Sequence, residues 1–492
     1  MSRPVLHVEK RVDVMRLLIL PIVLALSACS LAPTLVKPDL PVPAAYTTSA
    51  GAAAPASRVH AADLGWRGMF GDRRLQRLIE LALENNRDLR IATLNVEAAR
   101  AQYGIQRAAR LPSVDATLSG SRQRTPANAD LNPPVPESIQ KQVGLGIGIS
   151  SFEIDLFGRV KSLSDAAFAR YLATDEGRRA AQITLVGAVA DAYFAERAAF
   201  EQRALAEHTL ADWQQSLDLA RRLKEAHQAS GLDIAQAEGQ VASADADLEA
   251  RSRAVEQARN ALRLLVGREL PTDLPEPIPL NQQPVITQLP AGLPSELLFR
   301  RPDILQAEQN LVAANADIGA ARAAFFPRLS LTTSLGFISP AMGSLFDGDH
   351  RTWAFSPQVT VPLFQGGRLR SELRLAEVRK SSAIAEYERA IQVAFKEVAD
   401  GLAGQETFGR QINAQTRVVV SAERRTTLSN LRYRAGVEGR LELLDSQRQL
   451  YAARQTLLDL RLAEFSNSVA LYKALGGGLT EADLTASTDT KP

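Results

Sequence analysis

Residues 293–337, LPSELLFRRPDILQAEQNLVAANADIGAARAAFFPRLSLTTSLGF, change hydrophobic period partway along. Ile304, Leu311, Ile318 and Phe325 recur every seven positions, with Ala307, Ala314 and Ala321 three places after the first three. That is a helical seam with bulky a positions and small d positions, which a neighbouring helix can approach closely. Pro302 suits a first helical turn, and Asp303 complements the dipole there. Beyond Pro327 the period falls to two. Leu329, Leu331, Thr333, Leu335 and Phe337 take one side; Arg328, Ser330, Thr332, Ser334 and Gly336 take the other. The same passage occurs 215 positions earlier, with Leu89, Val96 and Tyr103 at a, Ala92, Ala99 and Gln106 at d, and Pro112 in place of Pro327. Val114, Ala116 and Leu118 then alternate with Ser113, Asp115, Thr117 and Ser119. The chain is a duplication of a helix-into-strand unit, and every element must fit that repeat.

Each half adds a second strand and a helical hairpin. After a proline-punctuated polar loop at 125–142, Val143, Leu145, Ile147 and Ile149 alternate with Gly144, Gly146, Gly148 and Ser150. These glycines lack GxGxxG spacing and a strand-then-helix context, so they fit a close backbone approach or a barrel lumen better than a phosphate loop. In the second half Trp353, Phe355, Val359, Val361 and Leu363 oppose Ala354, Ser356, Gln358 and Thr360. Phe337, Trp353 and Phe355 flank the 338–352 loop, where a lipid-facing aromatic belt would lie. No proline occurs between 137 and 270, and residues from about 159 to 228 read as nearly continuous helix with a partner at 233–266. The second half repeats this at 368–434 and 442–475. Roughly 70 residues at about 1.5 Å each make a helix of roughly 100 Å, far beyond ordinary globular lengths.

The N-terminus carries an address. Arg16 precedes an apolar run, 17–28, too short to span a bilayer but right for a signal-peptide core, and Met15 is an alternative start. The run closes on Leu26-Ser27-Ala28-Cys29, the only cysteine of the chain. This resembles the bacterial lipobox, which makes Cys29 the lipid attachment site; Ser30 after it fits outer-membrane sorting. An ordinary cleaved signal with an incidental cysteine is the other reading. The expected divisions are a signal peptide at 1–28, an extended anchored segment at 29–65 and a first repeat at 66–270. That repeat opens with one helix from 66 to about 110 and has strands near 113–124 and 143–155. A linker with a short helix follows at 271–300, then a second repeat at 301–477 with strands near 328–338 and 353–364, and a flexible tail at 478–492.

Composition narrows the function. A formal net charge of +2 gives no reason to expect nucleic acid. Five scattered histidines, no Ser/His/Asp set, no paired-carboxylate cleft and no nucleotide loop point to a non-enzyme without metal or cofactor. Four strands of about ten residues have transmembrane length but cannot close a barrel, and an open edge is not tolerated in lipid. Three chains would supply twelve strands. A soluble sheet capping helical hairpins is the competing architecture.

With these residues in view, the sequence resembles the outer-membrane factor family, the exit ducts of tripartite efflux pumps, in its lipoprotein branch. Gly292-Leu293-Pro294-Ser295, Arg301-Pro302-Asp303-Ile304, Ala307-Glu308 and Phe326-Pro327 carry the likeness, with Trp66, Phe70, Asp72, Leu75, Asn86, Asp88 and Leu89 as a second block. The resemblance implies a mixed α+β membrane protein, a homotrimeric α/β barrel. Four strands per chain would build a shared 12-stranded barrel in outer-membrane lipid, continued by a periplasmic α-helical barrel. It implies as partners a periplasmic adaptor protein and an inner-membrane RND-type transporter. It also places a periplasmic gate at the second hairpin, where Arg434-Ala435-Gly436 and 441–448, LELLDSQR, match the family. Leu441, Asp445 and Arg448 fall on one helical face, giving a ring of carboxylates braced by a neighbouring arginine plus an apolar constriction. In the first hairpin Leu232 aligns with Leu441, Gln236 replaces Asp445 and His227 stands where Gly436 does, so a differently shaped tip without a gating role is expected. A tunnel for type I protein secretion and a non-conducting, lipid-anchored periplasmic coiled-coil scaffold are the alternatives. With only four methionines, a thioether path for soft metals is not supported.

Overall fold

The computed structural model describes residues 31–36, 38, 41–43, 64–127, 136–289 and 300–479. Cys29 and the signal segment, the 292–295 motif, nearly all of the expected short helix at 295–300 and most of the tail lie outside them. The chain divides into two compact units, one built around residues 96–173 and 307–387, the other around 39–95, 174–306 and 388–492.

The first unit holds a four-stranded antiparallel sheet in the order β1-β2-β3-β4, with β1 Asp115–Thr125, β2 Ser138–Ile154, β3 Arg328–Ser339 and β4 Arg351–Thr360. Register sorts the side chains into faces. Leu118, Leu145, Phe337 and Arg351 share one cross-strand row, and Ala116, Ile147, Leu335 and Trp353 the next. A bulge between Ser150 and Phe152, with Ser151 at φ 126°, returns Phe152 to this face opposite Leu331. The opposite face carries the small and polar residues, and here glycine is obligatory: a Cβ on Gly336 would lie 2.3 Å from the Leu145 carbonyl.

Two strand boundaries differ from expectation, each for its own reason. β2 starts at Ser138 rather than near 143, because Thr125 pairs with Ser138 and the hairpin continues through polar residues. β4 runs 351–360 rather than 353–364. Pro362 removes a ladder donor, so Val361 and Leu363 fall beyond the strand.

Helix α6, Pro302–Ala323, leads into β3, and its later turns belong to the sheet unit. Asn315 Nδ2 donates to the Pro33 carbonyl at 2.8 Å and Arg322 Nη1 to that of Leu31 at 3.4 Å, so segment 31–36 lies along α6. Gly319 makes room: a Cβ there would stand 2.9 Å from that of Ala32.

The second unit is helical. Where one helix was expected from 66 to about 110, there are three: α1 Trp66–Met69, α2 Arg73–Asn85 and α3 Arg87–Ala108. Asp72 caps α2 by accepting from the Arg74 amide at 2.8 Å. Asn86 breaks α2 from α3, its Oδ1 accepting from the Leu89 amide and its Nδ2 donating to the Leu265 carbonyl, both at 2.9 Å. Trp66, Phe70, Tyr193, Phe194 and Tyr472 are buried beside these caps. Phe70 meets Tyr472 edge-on at 6.1 Å, and the Tyr193 hydroxyl donates to Asp72 at 2.5 Å. Burial holds the Tyr193 phenol well above the usual tyrosine range. Arg301, buried, bridges Asp303 at 2.6 Å, Glu397 at 2.7 Å and the Ala474 carbonyl at 3.0 Å. Its motif is therefore accounted for by packing. The long pairs are α4 Arg159–Glu225 with α5 Gly231–Val266, and α7 Arg368–Arg434 with α8 Arg440–Ala474; residues 96–108 of α3, 159–173 of α4 and 368–387 of α7 belong to the sheet unit.

Candidate functional site

The two turns that reverse these helices are built differently, and the second gathers the charge. α7 ends at Arg434, and Gly436 takes φ +69°, which glycine adopts without steric cost. The Gly436 amide donates to the Tyr433 carbonyl and that of Val437 to Arg432, both at 3.0 Å, closing a Schellman-type end. α8 then starts from Gly439, whose position supplies no side-chain cap.

Along the first turns of α8, Leu443, Leu444 and Ser446 are buried while Leu441, Asp445 and Arg448 lie exposed on the other side. Leu441 is 71% exposed, and its counterpart at the first turn, Leu232, is 67% exposed. Asp445 is held within the chain by a residue that spacing did not single out. Arg425 of α7 reaches Glu442 Oε1 at 2.6 Å and Asp445 Oδ2 at 2.9 Å, and Gln449 Nε2 donates to the same Asp445 oxygen at 2.9 Å. The hydrogen bond to Glu442 raises the Arg425 pKa. Arg448, expected to brace the carboxylate ring of a trimer, makes no hydrogen bond or ion pair within the chain among the described residues. It lines a cavity of about 320 Å³ with Trp213, Asp247 and Tyr451. Counting equal steps from the turn centre would have found the tie, since 425 and 449 are equidistant from 437 and an arginine reaches a turn further.

The cavity continues into a polar clasp between the two hairpins. Tyr451 of α8 donates to Asp247 of α5, and burial pushes its phenol up to about 12. Arg251 donates to Gln202 at 2.8 Å and to Gln455 at 3.1 Å, and Gln202 donates to Asp459 at 2.6 Å. Trp213 lies edge-on to Tyr451 at 6.3 Å. Three helices, α4, α5 and α8, are joined here by side-chain hydrogen bonds, with Gln455 Nε2 left without a partner among the described residues.

The first turn has the same backbone in spite of its composition. His227 takes φ +59°, its amide donating to the Lys224 carbonyl at 2.9 Å while that of Gln228 donates to Leu223 at 2.8 Å. The expected difference in turn shape is therefore absent. A left-handed residue other than glycine costs roughly 1–2 kcal/mol, and the next helix start offsets it. Ser230 and Asp233 form a reciprocal capping box. Arg221 reaches only Glu238 at 3.1 Å among α5 carboxylates.

On the sheet, Trp353 and Phe355 are 74% and 60% exposed, and Phe337 stands edge-on to Phe346 at 5.6 Å. Cross-strand pairing puts all three on the apolar face, with Phe355 in mid-strand rather than at an end.

Comparison with known proteins places these features. The family profile described as outer membrane efflux protein matches residues 78–268 and 293–477, one block in each repeat. The chain is 45% identical over 460 residues to the probable efflux pump outer membrane protein TtgC of Pseudomonas putida, covering 93% of this chain and 94% of that one. It is 44% identical over 463 residues to the outer membrane protein OprJ of Pseudomonas aeruginosa, covering 94% and 95%. The open-state MtrE outer membrane channel of Neisseria gonorrhoeae superposes with a TM-score of 0.83 at 40% identity, over 92% of this chain and 99% of that one.

Proposed function

We propose a gating mechanism from the premise that this chain belongs to the outer membrane efflux protein family. It is the outer-membrane exit duct of an efflux pump, localised to the outer membrane and extending into the periplasm. The relatives' names point to efflux rather than to protein export or a non-conducting scaffold.

In our reading three chains close twelve strands into one barrel, because β1 and β4 each present an edge that lipid cannot satisfy. The apolar face, with Phe337, Trp353 and Phe355, contacts lipid, and acylated Cys29 anchors the mature N-terminus. The Leu31 carbonyl is held by Arg322, in the last turn of α6 before β3. A periplasmic adaptor and an inner-membrane RND-type transporter supply the energy.

The gate is the face formed by Leu441, Asp445 and Arg448. Brought around a threefold axis, Leu441 narrows the bore and Asp445 rings it with charge. The observation that carries this reading is the Arg425 tie, which fixes α8 to α7 through two carboxylates at the tip. Closed, it holds Leu441 and Asp445 in place; open, the guanidinium releases one carboxylate and the helix start moves outward. The measurement is single-channel conductance in a planar bilayer, wild type beside Asp445→Ala. Low, flickering wild-type current with larger and longer openings in the variant is expected. Equal open conductance in both would refute the gate and leave the duct.

A further inference from the structure

β1 and β2 carry a second charged feature that efflux does not use. The apolar face runs from the row of Ile154 and Leu329 to the row of Val143. That is on the order of 34 Å along the strands, or roughly 25 Å of height at a barrel strand's tilt, the thickness of an outer-membrane apolar band. One row further, roughly 7 Å along the strand, Arg122 stands directly opposite Lys141 on the same face. Both are exposed, and neither has a hydrogen-bond or ion-pair partner among the described residues. Arg124, one row beyond, is already neutralised by Glu137 at 2.9 Å. Arg351 opens β4 on the same face in the row of Leu145 and Phe337, one row inside that of Val143.

Like charges directly across an antiparallel pair destabilise it, and their Cα atoms lie only about 5 Å apart. Nothing among the described residues of the hairpin offsets this pair, whereas a phosphate between the two cations would satisfy both. We propose that Arg122 and Lys141 form a binding site for the phosphate of a glycolipid headgroup in the outer leaflet. The site rests on the reading that the sheet is the membrane-spanning part. Distance from the apolar band puts the pair at headgroup depth, where long cationic side chains extend toward the interface. A lipid-linked phosphate is favoured over a free one because the acyl chains of the same molecule would cover the apolar rows below it.

The test titrates the detergent-purified full-length protein with bisphosphorylated lipid A and follows bound lipid by native mass spectrometry. Replacing both cations, Arg122→Gln with Lys141→Gln, is expected to weaken binding about thirtyfold, at roughly one tenfold step or less per cation. Arg122→Lys, which keeps the charge, should restore most of it. Arg328→Gln, which removes a cation from the opposite face, should change binding less than about twofold. Lipid A without phosphates should bind wild type as weakly as the double variant, and inorganic phosphate should not displace lipid A. Equal binding by wild type and double variant, or displacement by equimolar inorganic phosphate, overturns the proposal. Conductance of the same samples separates the two readings. A conducting wild type with unchanged lipid binding in the double variant sinks the lipid site alone, whereas a wild type that never inserts sinks the membrane reading and the site with it.

Discussion

The two hairpin tips share a backbone turn and divide their stabilising features in opposite ways. The first strains its turn, with His227 at φ +59°, and secures the next helix by the Ser230–Asp233 box. The second relaxes its turn with Gly436 and leaves α8 without a side-chain cap. Its order comes instead from Arg425 shared between Glu442 and Asp445. A capping box is local and survives salt, whereas an exposed ion cluster is screened and can exchange partners. In the proposed gating, the tip that moves is the one held by replaceable contacts.

The largest effect should separate the two arginines. Arg425→Ala is expected to raise the open fraction in bilayers on the order of tenfold, while Arg221→Ala should shift it less than about twofold. Equal responses would mean that both tips gate. Next come the turns. Gly436→Ala should destabilise the second tip by roughly 1–2 kcal/mol, since nothing but φ opposes the added methyl. It would read out as about tenfold faster amide exchange over 435–441, and an unchanged rate would contradict the strain assigned to His227. Ser230→Ala should cost the first tip about 1 kcal/mol, seen as faster exchange over 231–234 with no change at the second tip. The smallest effect belongs to Gly439→Ser. A serine there with Glu442 at N3 would complete the missing box and steady the helix start by a few tenths of a kcal/mol. Because Glu442 would then be drawn from Arg425, openings should lengthen although the helix is firmer. Shorter openings would show that capping, rather than the ion tie, sets the closed state.

The duplicated helix-to-strand unit was legible because two periods meet at a proline in each copy. Strand ends were harder to read. Ile139 and Lys141 continue the alternation beyond Val143, but with a charge on the face that defined the strand, and an apolar criterion stops there. The first helix reads as continuous in the sequence because Asp72 and Asn86 interrupt it through side-chain bonds to backbone amides, which leave no gap in the hydrophobic pattern. At the second tip, the shared face of Leu441, Asp445 and Arg448 follows from spacing along one helix. Arg425 does not, since its place depends on where the turn falls. The glycine rule at position 227 misled because it weighs the turn alone and omits the cap three residues later.

The open edges of β1 and β4 have a kinetic consequence. A lone chain cannot enter lipid with those ladders unpaired, so productive insertion in this reading requires three chains to meet before any of them is committed. Until then each newly exported chain offers a template for wrong strand pairing, and the hazard grows with the time spent alone. A lipid tether at Cys29 would restrict that search to two dimensions at the surface where the sheet must insert. Biogenesis would then depend on how densely the anchored chains populate the inner leaflet, so that losing the anchor lowers the number of finished ducts without altering the conductance of those that form.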